Sequence, residues 1–142
     1  MVQYYLPIIG VVVVNSLYHI CAKHIPPAVN PMALLVVTYL LAAAISFTAF
    51  LATAHGDGFI SQVKNITWAP IALGVCIVGL EFCMIMVYRV GWNISLASLV
   101  NSVAVAIILL VIGLAVYKEH IDHNQIIGIA LCVAGLIFIT RQ

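Results

Sequence analysis

Residues 67–91 read TWAPIALGVCIVGLEFCMIMVYRVG. This stretch is long and apolar enough to cross a bilayer as one helix, because about 20 apolar residues span the hydrocarbon core. Glu81 lies 13 residues after Trp68 and eight before Arg89, which places it near the middle of the membrane. An ionisable side chain at this depth costs roughly 2.5–3.5 kcal/mol and commonly marks an ion or substrate path. The alternative is a neutral Glu81 that is hydrogen-bonded between helices and serves packing alone.

The composition of the whole chain indicates a lipid environment. The 142 residues are 65% hydrophobic and 6% charged, whereas soluble domains are about half apolar and a quarter charged. We therefore predict an all-α integral membrane protein, because lipid offers no partner to unpaired backbone groups. The net charge of +1 does not favour a nucleic-acid partner. The four cysteines lie in apolar runs without the spacing of a metal site and are predicted to be packing residues.

Helix-breaking residues divide the chain into five apolar segments. Pro26 and Pro27 end the first segment, because proline lacks an amide donor and disfavours the helical conformation at the preceding residue. Gly56 and Gly58 begin the longest polar connection, and Gly91 lies in a turn before the fourth segment. The chain is predicted to form a single transmembrane domain, 1–142, with helices over residues 4–22, 31–54, 67–90, 93–117 and 125–140.

The first predicted helix carries a polar stripe. Asn15, Tyr18 and His19 recur at positions i, i+3 and i+4 and share one helical face. Polar side chains in membrane helices rarely face lipid, so this face is predicted to look inward as a cavity wall. For His19 alone, a hydrogen-bonded histidine within the bundle is an equal alternative.

The fourth predicted helix carries hydroxyl and amide groups. Ser95, Ser98 and Ser102 repeat along it, with Asn101 beside them. Such side chains either line a polar cavity or bond to a neighbouring helix, which is worth only about 0.6–2 kcal/mol for each bond.

The last predicted helix has a flat face. Gly128 and Gly135 are seven residues apart, and Leu131 and Cys132 lie between them on the same face. Small residues let the backbones of two helices approach closely. We therefore predict that Gly128, Leu131, Cys132 and Gly135 form a dimer interface.

A family resemblance becomes visible at the carboxyl-terminal end. The run 117–122, YKEHID, is followed by Ile126-Ile127-Gly128, Leu131 and Ala134-Gly135. This pattern resembles the closing signature of the drug/metabolite transporter superfamily, in which a carboxylate after the penultimate helix is followed by an Ile-Gly, Leu, Ala-Gly helix. Five helices resemble one EamA-like half, the repeat unit that occurs twice in ten-helix members.

The amino-terminal part is similar to the small multidrug resistance branch of that superfamily. Gly10, Asn15 and Lys23 fall where that branch has a glycine, its essential first-helix glutamate and a lysine. Asn15 therefore departs from the branch at its proton-exchanging position, and Glu81 matches no family motif. The span 31–54 has no counterpart in that four-helix branch.

The resemblance implies a secondary transporter with its cavity among the first, third and fourth spans and with the last helix joining two units. Transporters of this type combine two inverted repeats around a midplane site, so a lone half should need a partner. The resulting hypothesis is a multi-pass protein of the inner (plasma) membrane. It would act as a homodimeric exporter or exchanger of a small metabolite or organic cation, by alternating access and with proton coupling through Glu81. The alternative is a non-transporting membrane subunit or assembly partner of a larger membrane protein.

The candidate binding residues follow from these patterns. Glu81 is the one acid inside a predicted span, since Asp57, Glu119 and Asp122 all fall in loops. An enzyme is not predicted, because no nucleophile, base and orienting residue can be assembled from these spacings. The candidates for substrate or proton binding are Glu81, Asn15, Tyr18, His19, Tyr39, Tyr88, Ser98, Asn101 and Ser102.

No cofactor and no metal is predicted. His120, Asp122 and His123 have spacing that a metal could use, but the sequence offers no further ligand beside them. The predicted partners are therefore a small-molecule substrate, the proton, the lipid bilayer and a second copy of the chain.

The basic residues that flank the five spans predict dual topology. Lys64 and Lys118 fall on one side of the membrane, and Lys23, Arg89 and Arg141 fall on the other. Orientation is normally set by an excess of Lys and Arg on the cytoplasmic side, and two against three is almost no excess. The chain is therefore predicted to insert both ways and to pair antiparallel.

Overall fold

The computed structural model describes the backbone of residues 2–54, 58–64, 66–118 and 123–140, and the side chains of 5–54, 58–64, 66–118 and 126–139. Within these ranges the chain forms helices and loops without a strand. The helices are α1 (Val2–Lys23), α2 (Pro31–Thr53), α3 (Phe59–Val63), α4 (Ala69–Arg89), α5 (Ile94–Ala115) and α6 (His123–Thr140).

Four of these helices, α1, α2, α4 and α5, are long and apolar enough to cross a membrane, and α6 contains a shorter apolar stretch, Ile126–Ile139. The predicted all-α membrane fold is confirmed. The short helix α3 lies inside the predicted polar connection, where the sequence pattern indicated only a loop.

Local sequence features account for the helix ends. Asn30 precedes α2, and its Oδ1 accepts a hydrogen bond of 2.9 Å from the backbone N–H of Met32, which satisfies one of the free donors at the start of a helix. Pro31 fits the first turn, where its missing N–H is not needed. Gly91 follows α4 with φ +97°, a left-handed conformation that glycine adopts without steric cost.

The structure divides into two compact units, residues 21–90 and residues 1–20 with 91–142. In the unit of residues 21–90, α2 packs against α4. Its buried core contains Ala22 from the end of α1, Leu35 from α2, and Met84, Ile85 and Tyr88 from α4.

In the unit of residues 1–20 and 91–142, α5 packs against α6. Ala97 and Gly113 are buried on α5. On α6 the half-buried side chains are Ile129, Val133 and Leu136, whose spacing of four and three residues defines one helical face.

The cysteines are exposed, which contradicts the prediction that they are packing residues within the chain. Cys21, Cys76, Cys83 and Cys132 all have exposed side chains. Apolar surface on a membrane helix gains nothing from being buried against another helix, because lipid tails are equally apolar. Hydropathy alone therefore cannot tell a side chain that faces lipid from one that faces a neighbouring helix.

Candidate functional site

Glu81 and Tyr39 form the polar centre of the unit of residues 21–90. The packing of α2 against α4 brings the Glu81 carboxyl and the Tyr39 phenol close enough to interact electrostatically. Both side chains are half-buried. The Tyr39 Oη is enclosed and has no hydrogen-bond partner in the part of the chain that the structure describes. An enclosed hydroxyl without a partner costs about 1–3 kcal/mol, so a ligand that forms a hydrogen bond with it would gain free energy.

Glu81 lies where the packed part of α4 ends. Met84, Ile85 and Tyr88 follow it at i+3, i+4 and i+7 and are between 2% and 8% exposed, so they share its helical face. One turn earlier, Ile77 is 38% exposed. The carboxyl therefore lies between a packed core on one side and an open helix surface on the other, which leaves it accessible to a proton or a small ligand.

Tyr88, which was predicted to line the same site as Glu81, follows it by seven residues on the same face of α4. Seven helical residues correspond to about 10 Å of rise. The Tyr88 ring contacts the Lys23 side chain, whose Nζ lies 5.6 Å from the ring centroid. Tyr88 therefore also lies in a second polar region, at the end of α4.

The polar stripe of α1 lies in the other unit. His19 is 7% exposed, and its ring makes an edge contact with the ring of Tyr18 at a centroid distance of 5.2 Å. Asn15 is exposed and lines an open, mostly apolar groove with Gly10 and Tyr18. Of the three stripe residues, His19 is enclosed, Tyr18 is half-buried and Asn15 is open.

The polar residues of α5 differ in burial. Ser98 is half-buried, whereas Asn101 and Ser102 are exposed. The buried position in this part of α5 is Ala97, one residue before Ser98. A small residue allows close helix packing, so the packed face centres on Ala97 and the polar groups lie beside it.

The predicted dimer face of α6 is open within its unit. Gly128, Leu131, Cys132 and Gly135 are all exposed. A Cβ atom added to either glycine would have no neighbour within 4 Å. The half-buried side chains of α6 lie on a different face, so the glycine face is available to another helix.

The loop with His120 and Asp122 lies outside the described residues, as does the side chain of His123. Among the described side chains, no group of three or more His, Cys, Asp or Glu is placed to hold a metal ion.

Sequence reasoning missed the polar region at the end of α4. The sequence pattern indicated Arg89 only as a flanking charge, and Lys23 as a flanking charge and a family-like position, yet both line one cavity together with Tyr88. Their positions as the last residues of α1 and α4 were the available signal. Their proximity also depends on the loop after α1, which the periodicity of the helices does not determine.

The geometry supports binding of a small charged molecule within a membrane, and the comparison with known families agrees with a transport role. A family model described as the EamA-like transporter family matches residues 3–141. No curated protein matches the chain, and no solved structure matches it. Because the family model covers nearly the entire sequence, the chain belongs to the EamA-like transporter family, whose members are membrane transporters of the drug/metabolite type.

Proposed function

We propose that the protein is a secondary transporter that exports or exchanges a small metabolite or organic cation and couples this transport to protons through Glu81. The observation that carries the proposal is the packing of α2 against α4, which holds the half-buried side chains of Tyr39 and Glu81 within range of an electrostatic interaction. The sequence predicts that Glu81 lies near mid-membrane depth and that the other three acids of the chain fall in loops. A carboxyl group in this position is costly, and such groups commonly lie on ion or substrate paths.

The chemistry of the pair suits an organic cation. A carboxylate attracts the positive charge, and the face of an aromatic ring attracts quaternary and alkylated ammonium groups. When Glu81 is protonated, the attraction is lost. Proton and cation therefore compete for one group, which is the linkage that an exchanger requires.

We further propose that two copies make one transporter and that it works by alternating access. Transporters of this architecture place the substrate between two inverted repeats, and the chain resembles one repeat. The exposed face of Gly128, Leu131, Cys132 and Gly135 supports a seam through α6, because close helix contact in membranes uses small residues.

We also propose that the remaining candidates contribute to substrate or proton binding. His19 is enclosed and Ser98 is half-buried, as expected of groups that neighbour a cavity. Asn15, Asn101 and Ser102 are exposed within one chain and would be covered only after assembly.

The proposal is tested by proton flux in liposomes. The purified protein is reconstituted with a pH-sensitive dye inside the vesicles, and choline, putrescine or methyl viologen is added outside. We expect at least one of these cations to drive proton movement through the wild type. Glu81→Gln should abolish that proton movement, because glutamine has no ionisable group. Glu81→Asp should retain part of it, because aspartate keeps a carboxyl that can bind and release a proton.

Cys83→Ser is the matched control, since Cys83 lies on the same helix and is exposed. Its proton flux should equal that of the wild type. Proton movement in Glu81→Gln at the wild-type rate would contradict coupling through the carboxyl. Absence of flux and of ligand stabilisation with every cation tested would favour the alternative of a non-transporting subunit.

A further inference from the structure

A second polar cavity lies within the unit of residues 21–90, at the ends of α1 and α4. Its volume is about 140 Å³. Lys23, Tyr88 and Arg89 line its polar side, and Ile85 and Pro27 line its apolar side. None of the described residues that line this cavity is acidic. The cavity therefore has two basic side chains in its lining.

The two basic side chains are held in place by different contacts. The Lys23 Nζ lies 5.6 Å from the centroid of the Tyr88 ring, within the range of a cation–π interaction. The Tyr88 side chain is 6% exposed, so it is a fixed platform for the ammonium group. Lys23 is consequently oriented at the cavity although its side chain is long and flexible.

Arg89 connects α4 to the loop after α1. Its Nη2 donates a hydrogen bond to the backbone carbonyl of Val29. The backbone N–H of Val29 in turn donates to the carbonyl oxygen of Pro26, with 3.2 Å between nitrogen and oxygen. The Arg89 Nε is enclosed and has no hydrogen-bond partner among the described residues. A buried N–H group without an acceptor costs free energy. A rotation of the guanidinium group that brought this N–H to an anion would recover that cost.

We propose that this cavity binds a phosphate group. Phosphate oxygens are the preferred acceptors of the planar guanidinium group, which can donate two parallel hydrogen bonds, and a lysine ammonium adds a point charge. An enclosed cavity of about 150 Å³ accommodates a ligand as large as benzene, so the volume here is sufficient for a phosphate. Half-burial weakens the screening of both charges by water and salt.

The position of the cavity identifies two sources of phosphate. Lys23 is the last residue of α1 and Arg89 is the last residue of α4, so the cavity lies at the level where lipid headgroups meet water. The phosphate of an anionic lipid and the phosphate of a soluble metabolite both reach this level. Arg89 is eight residues beyond Glu81, which corresponds to about 12 Å along the helix. This site is therefore distinct from the proposed proton site and does not rest on it.

Retention of lipid on the purified full-length protein, measured by native mass spectrometry, tests the proposal. The probes are phosphatidylglycerol and diacylglycerol, which differ by the phosphate-containing headgroup. We expect the wild type to retain phosphatidylglycerol and not diacylglycerol. Lys23→Gln and Arg89→Gln should each weaken retention by about tenfold or more, the loss expected for a hydrogen bond to a charged group.

Lys64→Gln is the matched control, because it removes one positive charge from an exposed position at the end of α3 outside this cavity. Its retention of phosphatidylglycerol should equal that of the wild type. Lys23→Gln leaves the Arg89 bond to Val29 in place, so it tests the site even if Arg89→Gln folds poorly.

Addition of millimolar inorganic phosphate separates the two sources. Displacement of phosphatidylglycerol by inorganic phosphate assigns the site to soluble phosphate compounds, and retention in its presence assigns the site to lipid headgroups. Either result supports a phosphate site. Equal retention by Lys23→Gln and the wild type, retention of diacylglycerol, or binding of neither phosphatidylglycerol nor phosphate to the wild type would overturn the proposal.

Discussion

Tyr39 on α2 interacts electrostatically with Glu81 on α4, across the contact that joins these two helices. The Tyr39 hydroxyl is enclosed without a hydrogen-bond partner in the described chain. A hydroxyl kept for stability would be expected to have a partner, because an unsatisfied buried donor is destabilising. The proposed ligand site would give this unsatisfied hydroxyl a hydrogen-bond partner.

The first prediction is that Tyr39→Phe impairs binding without impairing stability. Removal of the hydroxyl should lower the affinity for an organic cation by about two- to tenfold, the usual net effect of one hydrogen bond. The thermal unfolding midpoint in detergent should stay the same or rise, because the lost group has no partner in the described structure. Thermal-shift titration with choline or putrescine, both of which can hydrogen-bond to a phenol, measures both quantities.

Tyr117→Phe is the control for this substitution, since Tyr117 is 73% exposed and lies outside the candidate site. It should change neither the affinity nor the midpoint. A large drop in the midpoint of Tyr39→Phe would show that the hydroxyl stabilises the fold and would count against the binding role.

The second prediction concerns the seam on α6. Gly128→Leu and Gly135→Leu should each separate the dimer, because a leucine side chain would hold two helix backbones apart. Within one chain neither glycine has a neighbour within 4 Å of an added Cβ, so the monomer itself should fold normally. Cross-linking in membranes and size-exclusion chromatography with light scattering report the oligomeric state.

Ala130→Leu provides the comparison on a different face of the same helix. Ala130 is exposed and about 200° around the helix from Gly128, at 100° for each residue. The dimer should survive this change. Equal dissociation of the dimer in all three variants would mean that a larger side chain anywhere on α6 separates the dimer, and that the glycine face is not the specific interface.

The third prediction is dual topology. The flanking Lys and Arg residues divide two against three, which gives almost no orientation bias. Reporter domains fused to the carboxyl terminus should therefore be active on both sides of the membrane. An added pair of lysines beside Lys118 should shift the population to one orientation and should reduce activity if the working dimer is antiparallel. Activity of the original fusions on one side only would rule out an antiparallel homodimer.

The fourth prediction concerns the turn after α4. Gly91 has φ +97°, a conformation that side chains with a Cβ rarely adopt, although a Cβ there would have no neighbour within 4 Å. Gly91→Ala should therefore destabilise the protein by about 1–3 kcal/mol through backbone strain alone. Gly74→Ala, in the interior of α4 and equally free of neighbours, should be neutral or stabilising. Unfolding of the two variants in denaturant should give free energies that differ in this direction.

The features of the fold that depend on the length of the apolar segments could be predicted from the sequence. The apolar segments appear as long helices, and the buried residues Met84, Ile85 and Tyr88 of α4 recur with the helical period. The position of Glu81 within α4 followed from counting residues between Trp68 and Arg89.

Other features required the three-dimensional structure. The electrostatic interaction of Tyr39 with Glu81 depends on which faces of α2 and α4 meet, and apolar patterns are weak guides where lipid surrounds every helix. The cavity of Lys23 and Arg89 depends on a hydrogen bond between residues 60 positions apart, Arg89 and Val29. The loop between α1 and α2 determines this hydrogen bond, and loop residues show no helical period from which it could be predicted.

The last prediction is that the affinity for an organic cation depends on pH through Glu81. The cation binds the ionised carboxylate, and a proton neutralises it, so each ligand weakens the other by the same factor. Binding should therefore be strong at high pH and should decline as the pH falls through the range in which Glu81 becomes protonated. In that range the apparent dissociation constant should rise by up to tenfold for each pH unit, the limit for release of one proton. Calorimetric titration of the cation in two buffers of different ionisation enthalpy counts the protons released.

Glu81→Gln keeps the size of the side chain and removes its titration. We expect this variant to fold and dimerise normally, to bind the cation weakly, and to release no proton at any pH. Glu81→Asp should release protons as the wild type does, because it retains a carboxyl group. His19, in the polar stripe of α1, is buried, so His19→Gln tests whether this histidine contributes to the proton release. Unchanged proton release in Glu81→Gln together with its loss in His19→Gln would move the coupling site to α1, and unchanged release in both would exclude both groups.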